Sequence, residues 1–196
     1  MNDAAAAALQ VGTAPLHGGV ELGAKLRGVV RGGLTVREGA VLFASFHETL
    51  PVKAGQVAQA IQRMGWRNLT DYECQHNSFH LEDDPMRQRG DLNEDGVARI
   101  SEAAQVTLLR QGLLIARHVC ELARNLPEPV PVRCLIGAGE TNSTFRFHQL
   151  RSGEDWISSD LDGYKSEKIV VVDSRPPVAP GSGQTEGGSL NPLSAR

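Results

Sequence analysis

The chain has little of what a disulfide-stabilised, nucleic-acid-binding or membrane-spanning protein needs. Only three of its 196 residues are cysteine, which leaves one thiol unpaired in any scheme, so a reducing, cytoplasmic compartment is favoured over a disulfide framework. The net charge of -3, with no basic strip, argues against nucleic acid as a partner, because phosphate binding depends on clustered Lys and Arg. No apolar run approaches the roughly 18 residues of a membrane span. No basic residue precedes the N-terminal alanine run, as it would in a secretory signal.

Compact enzyme motifs are also missing. No P-loop, nucleophile elbow or H-E-x-x-H sequence is present, and Gly137-Ala-Gly139 lacks the third glycine of a dinucleotide fingerprint. These absences favour a small, soluble, non-enzymatic protein, with an enzyme kept as the alternative.

What is present predicts one α+β domain. The apolar content of 40% is enough for a single core once the polar ends are set aside. Residues 1–20 are rich in small side chains and residues 175–196 in Pro, Gly and Ser, so both segments are predicted to be flexible or disordered. The remaining residues, 21–174, are predicted to form the domain.

Hydrophobic periodicity predicts a mixed sheet of about five strands with two main helices on one face. A wide aliphatic stripe over residues 101–125 predicts the longer helix, and residues 54–64 the shorter one, ended by Gly65. Gly112 falls on the packed face of the longer helix and suggests a close approach to the sheet. The predicted strands are residues 41–47, 72–81, 132–136, 144–150 and 169–172.

The most specific pattern in the chain is a calcium loop over residues 91–102. It fits D-x-[DN]-x-[DN]-G-x5-E, with a sharp turn at Gly96. The predicted metal ligands are the side chains of Asp91, Asn93 and Asp95, the carbonyl of Val97 and both carboxylate oxygens of Glu102.

This loop resembles an EF-hand, and the resemblance covers the twelve residues and the helix after them. It implies calcium as a cofactor. An entering helix is not indicated, because Pro85 and Gly90 interrupt the preceding segment. The alternative interpretation is an Asp-Gly turn at a helix N-terminus, where the exposed amides favour acidic side chains.

The strongest local charge lies just before and within this loop. Residues 82–95 contain six acidic side chains and two arginines, a field that attracts a cation or a basic partner. We therefore expect an interaction protein, with the profile of an inhibitor or immunity protein, that docks a basic protein through Glu82, Asp83 and Asp84.

Two constellations carry the alternative of an enzyme. If strands 41–47, 132–136 and 169–172 run parallel, their C-terminal ends meet at one rim of the sheet. The polar residues at this rim would be His47, Glu48, Glu140, Asn142 and Asp173. His47 and the carboxylates are suited to acid-base chemistry. On a strand, Cys74, His76 and His80 share a face and offer three zinc ligands. A half-buried strand with satisfied imidazoles is the favoured explanation of the second pattern, so zinc is not the expected cofactor.

Overall fold

The computed structural model describes residues 1–11, 20–46, 54–83 and 99–174. In these ranges the chain forms five α-helices, a two-stranded sheet and a four-stranded sheet, which confirms the α+β class. None of the described helices combines the length and the apolar composition needed to cross a bilayer.

The longest helix is the one that the sequence predicts. Helix α5 spans Glu102–Arg124, with the Ser101 side chain accepting from the Ala104 amide at its start and Asn125 as its C-cap. Its aliphatic stripe packs on the four-stranded sheet, and Gly112 lies directly against Ile136. The predicted close approach at this glycine is confirmed.

The main sheet is antiparallel throughout. Its strands are β3 (Phe79–His80), β4 (Val132–Ala138), β5 (Ser143–Gln149) and β6 (Lys168–Asp173), in the order β3-β5-β4-β6. Strand alternation sends Phe145 and Phe147 into the core beneath α5. This sheet differs from the predicted mixed sheet of about five strands in two ways. It has four strands, because the segment around residues 40–43 belongs to a separate hairpin, and all of its pairs are antiparallel.

That hairpin consists of β1 (Leu34–Arg37) and β2 (Ala40–Phe43). Its turn residues, Glu38 and Gly39, both have positive φ angles, of 49° and 80°, as tight hairpin turns require. Helix α2 (Ala24–Arg31) precedes the hairpin, and a short 3-10 helix (Ala44–Phe46) follows it. Of the described residues of the predicted strand 41–47, only residues 41–43 are therefore in a strand.

The next segment contains one confirmed element and one error. Helix α3 (Gln56–Met64) ends at Gly65, whose φ is 68°, as predicted. The predicted strand 72–81 is instead helix α4 (Leu69–His76) followed by the two-residue β3. The apolar pattern was misleading because α4 is enclosed between the hairpin and the sheet and buries residues 70–74 consecutively, so it has no one-sided stripe.

Two side chains near the end of α4 join the hairpin to the main sheet. The Glu73 carboxylate accepts from the Val41 amide (2.7 Å) and the Gln149 amide (2.9 Å). The Asn77 amide group donates to the carbonyls of Val41 (2.8 Å) and Phe147 (3.2 Å), and its oxygen accepts from the Phe43 amide (3.0 Å). These side chains bridge the backbone of β2 to that of β5.

The start of the chain is also part of the fold. Helix α1 (Asp3–Leu9) buries Ala5 and Leu9 in the main core. The backbone N–H of its N-cap, Asn2, donates to the Ile169 carbonyl. The side-chain oxygen of Asn2 accepts from the Ile169 amide, and both bonds are 3.0 Å long. The sequence predicted a flexible segment here, but the alanines of α1 provide a flat surface that packs closely. The C-terminal segment 175–196 lies outside the described residues.

Candidate functional site

The face of the main sheet away from α5 carries a cleft. Three cross-strand rows line this face: Thr144, Gly137 and Ile169; Arg146, Leu135 and Val171; and His148, Arg133 and Asp173. A loop over residues 150–167 covers part of the first two rows and encloses about 240 Å³. We call this space the cleft.

The loop is tied to the domain at several points. Asp155 accepts from Arg133 (2.7 Å), which also forms a bidentate pair with Asp173 on β6. Glu154 accepts from the Thr70 hydroxyl on α4 (2.8 Å). The backbone just before Trp156 is thus held against both the sheet and α4.

Aromatic and charged side chains converge on the cleft. Trp156 and Tyr164 contribute to its wall, and the Arg146 guanidinium lies 5.4 Å from the centroid of the Trp156 ring. Arg146 donates from Nε to the Ser78 hydroxyl (3.1 Å), and no described residue accepts from its two terminal nitrogens. Glu167 also lines the cleft, and its carboxylate forms no hydrogen bond or ion pair with any described residue. The cleft therefore presents unsatisfied donors and an unsatisfied carboxylate beside aromatic rings.

The glycine at position 137 provides the room for this carboxylate. A Cβ added at Gly137 would lie 3.4 Å from Glu167 Oε2 and 3.4 Å from the Thr144 hydroxyl. Any larger side chain in this row would fill the space between Glu167 and β5. A partial signal for the cleft is present in the sequence, since Arg146 alternates with the buried Phe145 and Phe147, and Trp156 and Tyr164 flank an acidic turn.

A second, wider cleft of about 490 Å³ adjoins the first and shares Asn142 and Glu167 with it. Its charged side chains are largely committed. Lys168 Nζ pairs with Glu102 (2.9 Å) and also bonds the Gln105 side chain, while Arg99 pairs with Glu140 (3.0 Å). This surface offers less unsatisfied chemistry than the first cleft.

The predicted rim of acid-base residues does not form as expected. Because β4 and β6 are antiparallel, Asp173 lies opposite Arg133 at the beginning of β4, whereas Glu140 follows its other end. Glu140 pairs with Arg99, and its carbonyl accepts from the Ile100 amide (2.7 Å). His47 and Glu48 lie outside the described residues.

The strand geometry assumed for a zinc site was wrong. Cys74 and His76 are on α4, His80 is on β3, and the described residues contain no group of three His, Cys, Asp or Glu side chains that could hold a metal. Burial raises the pKa of the Cys74 thiol, which disfavours the thiolate that zinc requires. The His76 ring stacks on Tyr72 with centroids 4.0 Å apart, and His80 Nδ1 lies 3.0 Å from Glu82.

Of the predicted calcium ligands, the described residues include only Glu102. Asp91, Asn93, Asp95 and Val97 lie outside them, so the ligand set remains a prediction. Glu102 is the first residue of α5 and is well exposed, and its carboxylate pairs with Lys168. A bidentate calcium contact from Glu102 would compete with that pair.

The predicted acidic docking residues are used in different ways. Glu82 accepts from the Ser143 amide (2.9 Å) and helps to join β3 to the start of β5, while Asp83 pairs loosely with Lys25 at 3.6 Å. Asp84 lies outside the described residues. Glu82 thus has a structural contact that a charge-reversal variant would also break.

A buried histidine lies on the same sheet face. His148 donates from Nδ1 to the Gln149 carbonyl (2.9 Å), and its Nε2 is buried without a described partner. Burial lowers the pKa of this imidazole, and the hydrogen bond to Gln149 opposes the effect. The folded protein therefore holds His148 neutral under conditions in which an exposed histidine takes up a proton.

We expect this histidine to make stability depend on pH. Between the lowered pKa of the folded state and the ordinary value of 6.5, the unfolded chain binds more protons at His148 than the folded chain does. The free energy of unfolding therefore falls as the pH falls through this window. The contribution is at most about 1.4 kcal/mol per pH unit. Urea denaturation of His148→Phe should show a shallower dependence than the wild type, and equal slopes would contradict the prediction.

The sheet, the anchored loop and the cleft define a small α+β protein with a cleft on one face of its main sheet. Residues 97–186 match a protein-family model described as the Uncharacterized protein PM0498 family. This match covers less than half of the chain, and it contains all the residues that line the cleft. The comparison with curated proteins gave no match, and neither did the comparison with solved structures.

Proposed function

We propose that this protein is a non-enzymatic binding module for another protein and that the cleft receives a basic side chain of that partner. The observation that carries the proposal is the uncommitted Glu167 carboxylate beside aromatic walls. A lysine or arginine entering the cleft would form a charge-assisted pair with Glu167, and the rim of Tyr164 would cover its aliphatic stem.

The second charge in the cleft supports a peptide as the ligand. Repulsion between Arg146 and a basic guest is reduced because Arg146 is held by Ser78 and lies over Trp156. Its free donors suit a carbonyl or carboxylate next to the basic side chain. The cleft volume of about 240 Å³ fits a side chain and its backbone better than a larger organic ligand.

The test uses a peptide and a neutral analogue of it. Acetyl-Gly-Arg-Gly-amide, titrated into labelled protein, should shift the NMR signals of Gly137, Thr144 and the Trp156 indole. The citrulline peptide, which has the same shape without the charge, should bind about tenfold more weakly.

Glu167→Gln should remove this discrimination between the two peptides. Glu128→Gln is the matched control, since Glu128 is exposed and lies outside the cleft. Equal binding of both peptides by the wild type, or unchanged discrimination in Glu167→Gln, would refute the proposal.

We further propose that the loop over residues 91–102 binds calcium and stabilises the start of α5. The position of Glu102 supports this, because its carboxylate is exposed at the first turn of the helix that the loop precedes. We also propose a reducing compartment such as the cytoplasm, which the three buried free thiols support.

Calcium at a hundred times its dissociation constant should add about 2.7 kcal/mol to the free energy of unfolding. The measurement is a thermal melt in calcium against one in chelator. Asp91→Ala should abolish the gain, and Lys168→Gln should increase the apparent affinity because it releases Glu102. An unchanged melting temperature in millimolar calcium would contradict calcium binding and would support the alternative of an Asp-Gly turn at the helix start.

A further inference from the structure

Strand β6 is an edge strand, and half of its edge is already used. β6 pairs only with β4, and the Ser174 amide donates to the Val132 carbonyl (2.8 Å), so even-numbered residues face β4. By alternation the backbone groups of Ile169, Val171 and Asp173 point outward. Asn2 forms hydrogen bonds with both the N–H and the C=O of Ile169.

Among the described residues, the other half of this edge has no backbone partner. No described residue hydrogen-bonds the outward N–H or C=O of Val171 or of Asp173. Unpaired groups in a row on a β-branched strand are a template for another extended segment. Asn2 already pairs with this edge in the manner of a strand. Its backbone amide donates to Ile169, and its side-chain oxygen takes the place of the accepting carbonyl.

A groove runs beside the open half, between β6 and α5. It encloses about 330 Å³, and its mainly apolar floor includes Leu113, Cys120 and Val172. A strand added to β6 would direct every second side chain towards this floor. We call this surface the β6 groove.

The charges of the β6 groove select the occupant. Arg117 and Arg124 line it from α5, at positions about two turns apart. Arg117 is half exposed and lies 3.9 Å from the Glu121 carboxylate. Arg124 donates to the Cys120 carbonyl of its own helix and pairs with no acid in the described part of the chain. Of the described residues that line the groove, only Asp173 is acidic, and Arg133 holds its carboxylate.

We propose that the β6 groove binds an extended, acidic peptide segment of another protein by β-strand addition. The segment would pair with Val171 and Asp173, insert an apolar side chain between Leu113 and Val172, and place acidic side chains near Arg117 and Arg124. This site is separate from the cleft, which lies on the other face of the sheet, so each can fail independently.

The probe is acetyl-Thr-Glu-Thr-Val-Thr-Glu-Thr-amide, in which both glutamates and the valine share one face of the strand. Titrated into the full chain, it should slow hydrogen exchange of the Val171 and Asp173 amides and shift their NMR signals. The peptide with lysine in place of both glutamates should bind at least about tenfold more weakly.

Variants separate the backbone contribution from the charge contribution. Val171→Pro removes an outward amide, which an edge strand tolerates, and should abolish binding while the circular dichroism spectrum is retained. Combined Arg117→Glu and Arg124→Glu should reverse the preference between the two peptides. Arg27→Glu on α2 is the control and should change neither.

Three results would overturn the proposal. The first is equal binding of the acidic and basic peptides, and the second is no shift at Val171 or Asp173 with millimolar peptide. The third is protection of these amides in the free protein, because another segment of the chain or a second copy would then cover the edge. Sedimentation of wild type and Val171→Pro distinguishes a second copy of the protein from another segment of the same chain.

Discussion

Glu73→Gln is expected to be the most destabilising single substitution considered, at a cost of about 3–5 kcal/mol. Glu73 is fully buried, and besides its two backbone donors it accepts from Arg151 Nη1 (2.7 Å) and Nη2 (2.8 Å). The amide has one acceptor oxygen where the carboxylate has two, and it sets an NH2 group against donors. Arg151 would also be left largely buried without its counter-charge.

Urea denaturation measures the loss in free energy of unfolding. A double-mutant cycle with Arg151→Met shows how much of that loss comes from the pair between Glu73 and Arg151. The double variant should lose less than the sum of the two single variants, because each removes the partner of the other. Glu128→Gln, at an exposed position, should change the free energy of unfolding by less than about 0.5 kcal/mol. A loss below about 1 kcal/mol for Glu73→Gln would contradict the role assigned to this carboxylate.

Gly112→Ala should destabilise the protein by about 1–3 kcal/mol even though alanine is the better helix former. A Cβ at this position would lie 2.5 Å from Cγ2 and 3.1 Å from Cγ1 of Ile136. The helix must therefore move away from β4 or the isoleucine must leave its rotamer, and either change disturbs the core.

A second helical glycine provides the control. An added Cβ at Gly28 in α2 meets no atom within 4 Å, so Gly28→Ala should be stabilising by up to about 1 kcal/mol. Combining Gly112→Ala with Ile136→Ala should recover part of the loss expected from the separate substitutions. Denaturation midpoints that fall equally in the Gly112 and Gly28 variants would show that close packing is not the cause.

Helix α5 illustrates how much could be predicted from the sequence. Its apolar stripe repeats over many turns, and Ser101 and Asn125 terminate it with side-chain and backbone contacts that depend on local chemistry alone. Strands β5 and β6 could also be predicted from the sequence, since Phe145 and Phe147 alternate with polar residues and β6 consists mainly of β-branched residues. Each signal is contained in a short stretch of chain.

Helix α4 illustrates what could not be predicted. The residues from Thr70 to Cys74 are all buried, so no periodicity distinguishes a helix from a strand there. The same limit applies to the cleft, because Glu167, Arg146 and Trp156 come from three separate segments. The antiparallel order of β4 and β6, which separates Asp173 from Glu140, depends on how the strands meet rather than on their composition.

The sequence by itself determined the α+β class, the extent of α5, the late strands and the tight packing at Gly112, because these follow from local periodicity, capping and side-chain size. Only the tertiary structure decided the strand order, the bridging of β2 to β5 by Glu73 and Asn77, and the meeting of charges in the cleft. Those features depend on contacts between residues far apart in the chain, which no local pattern encodes.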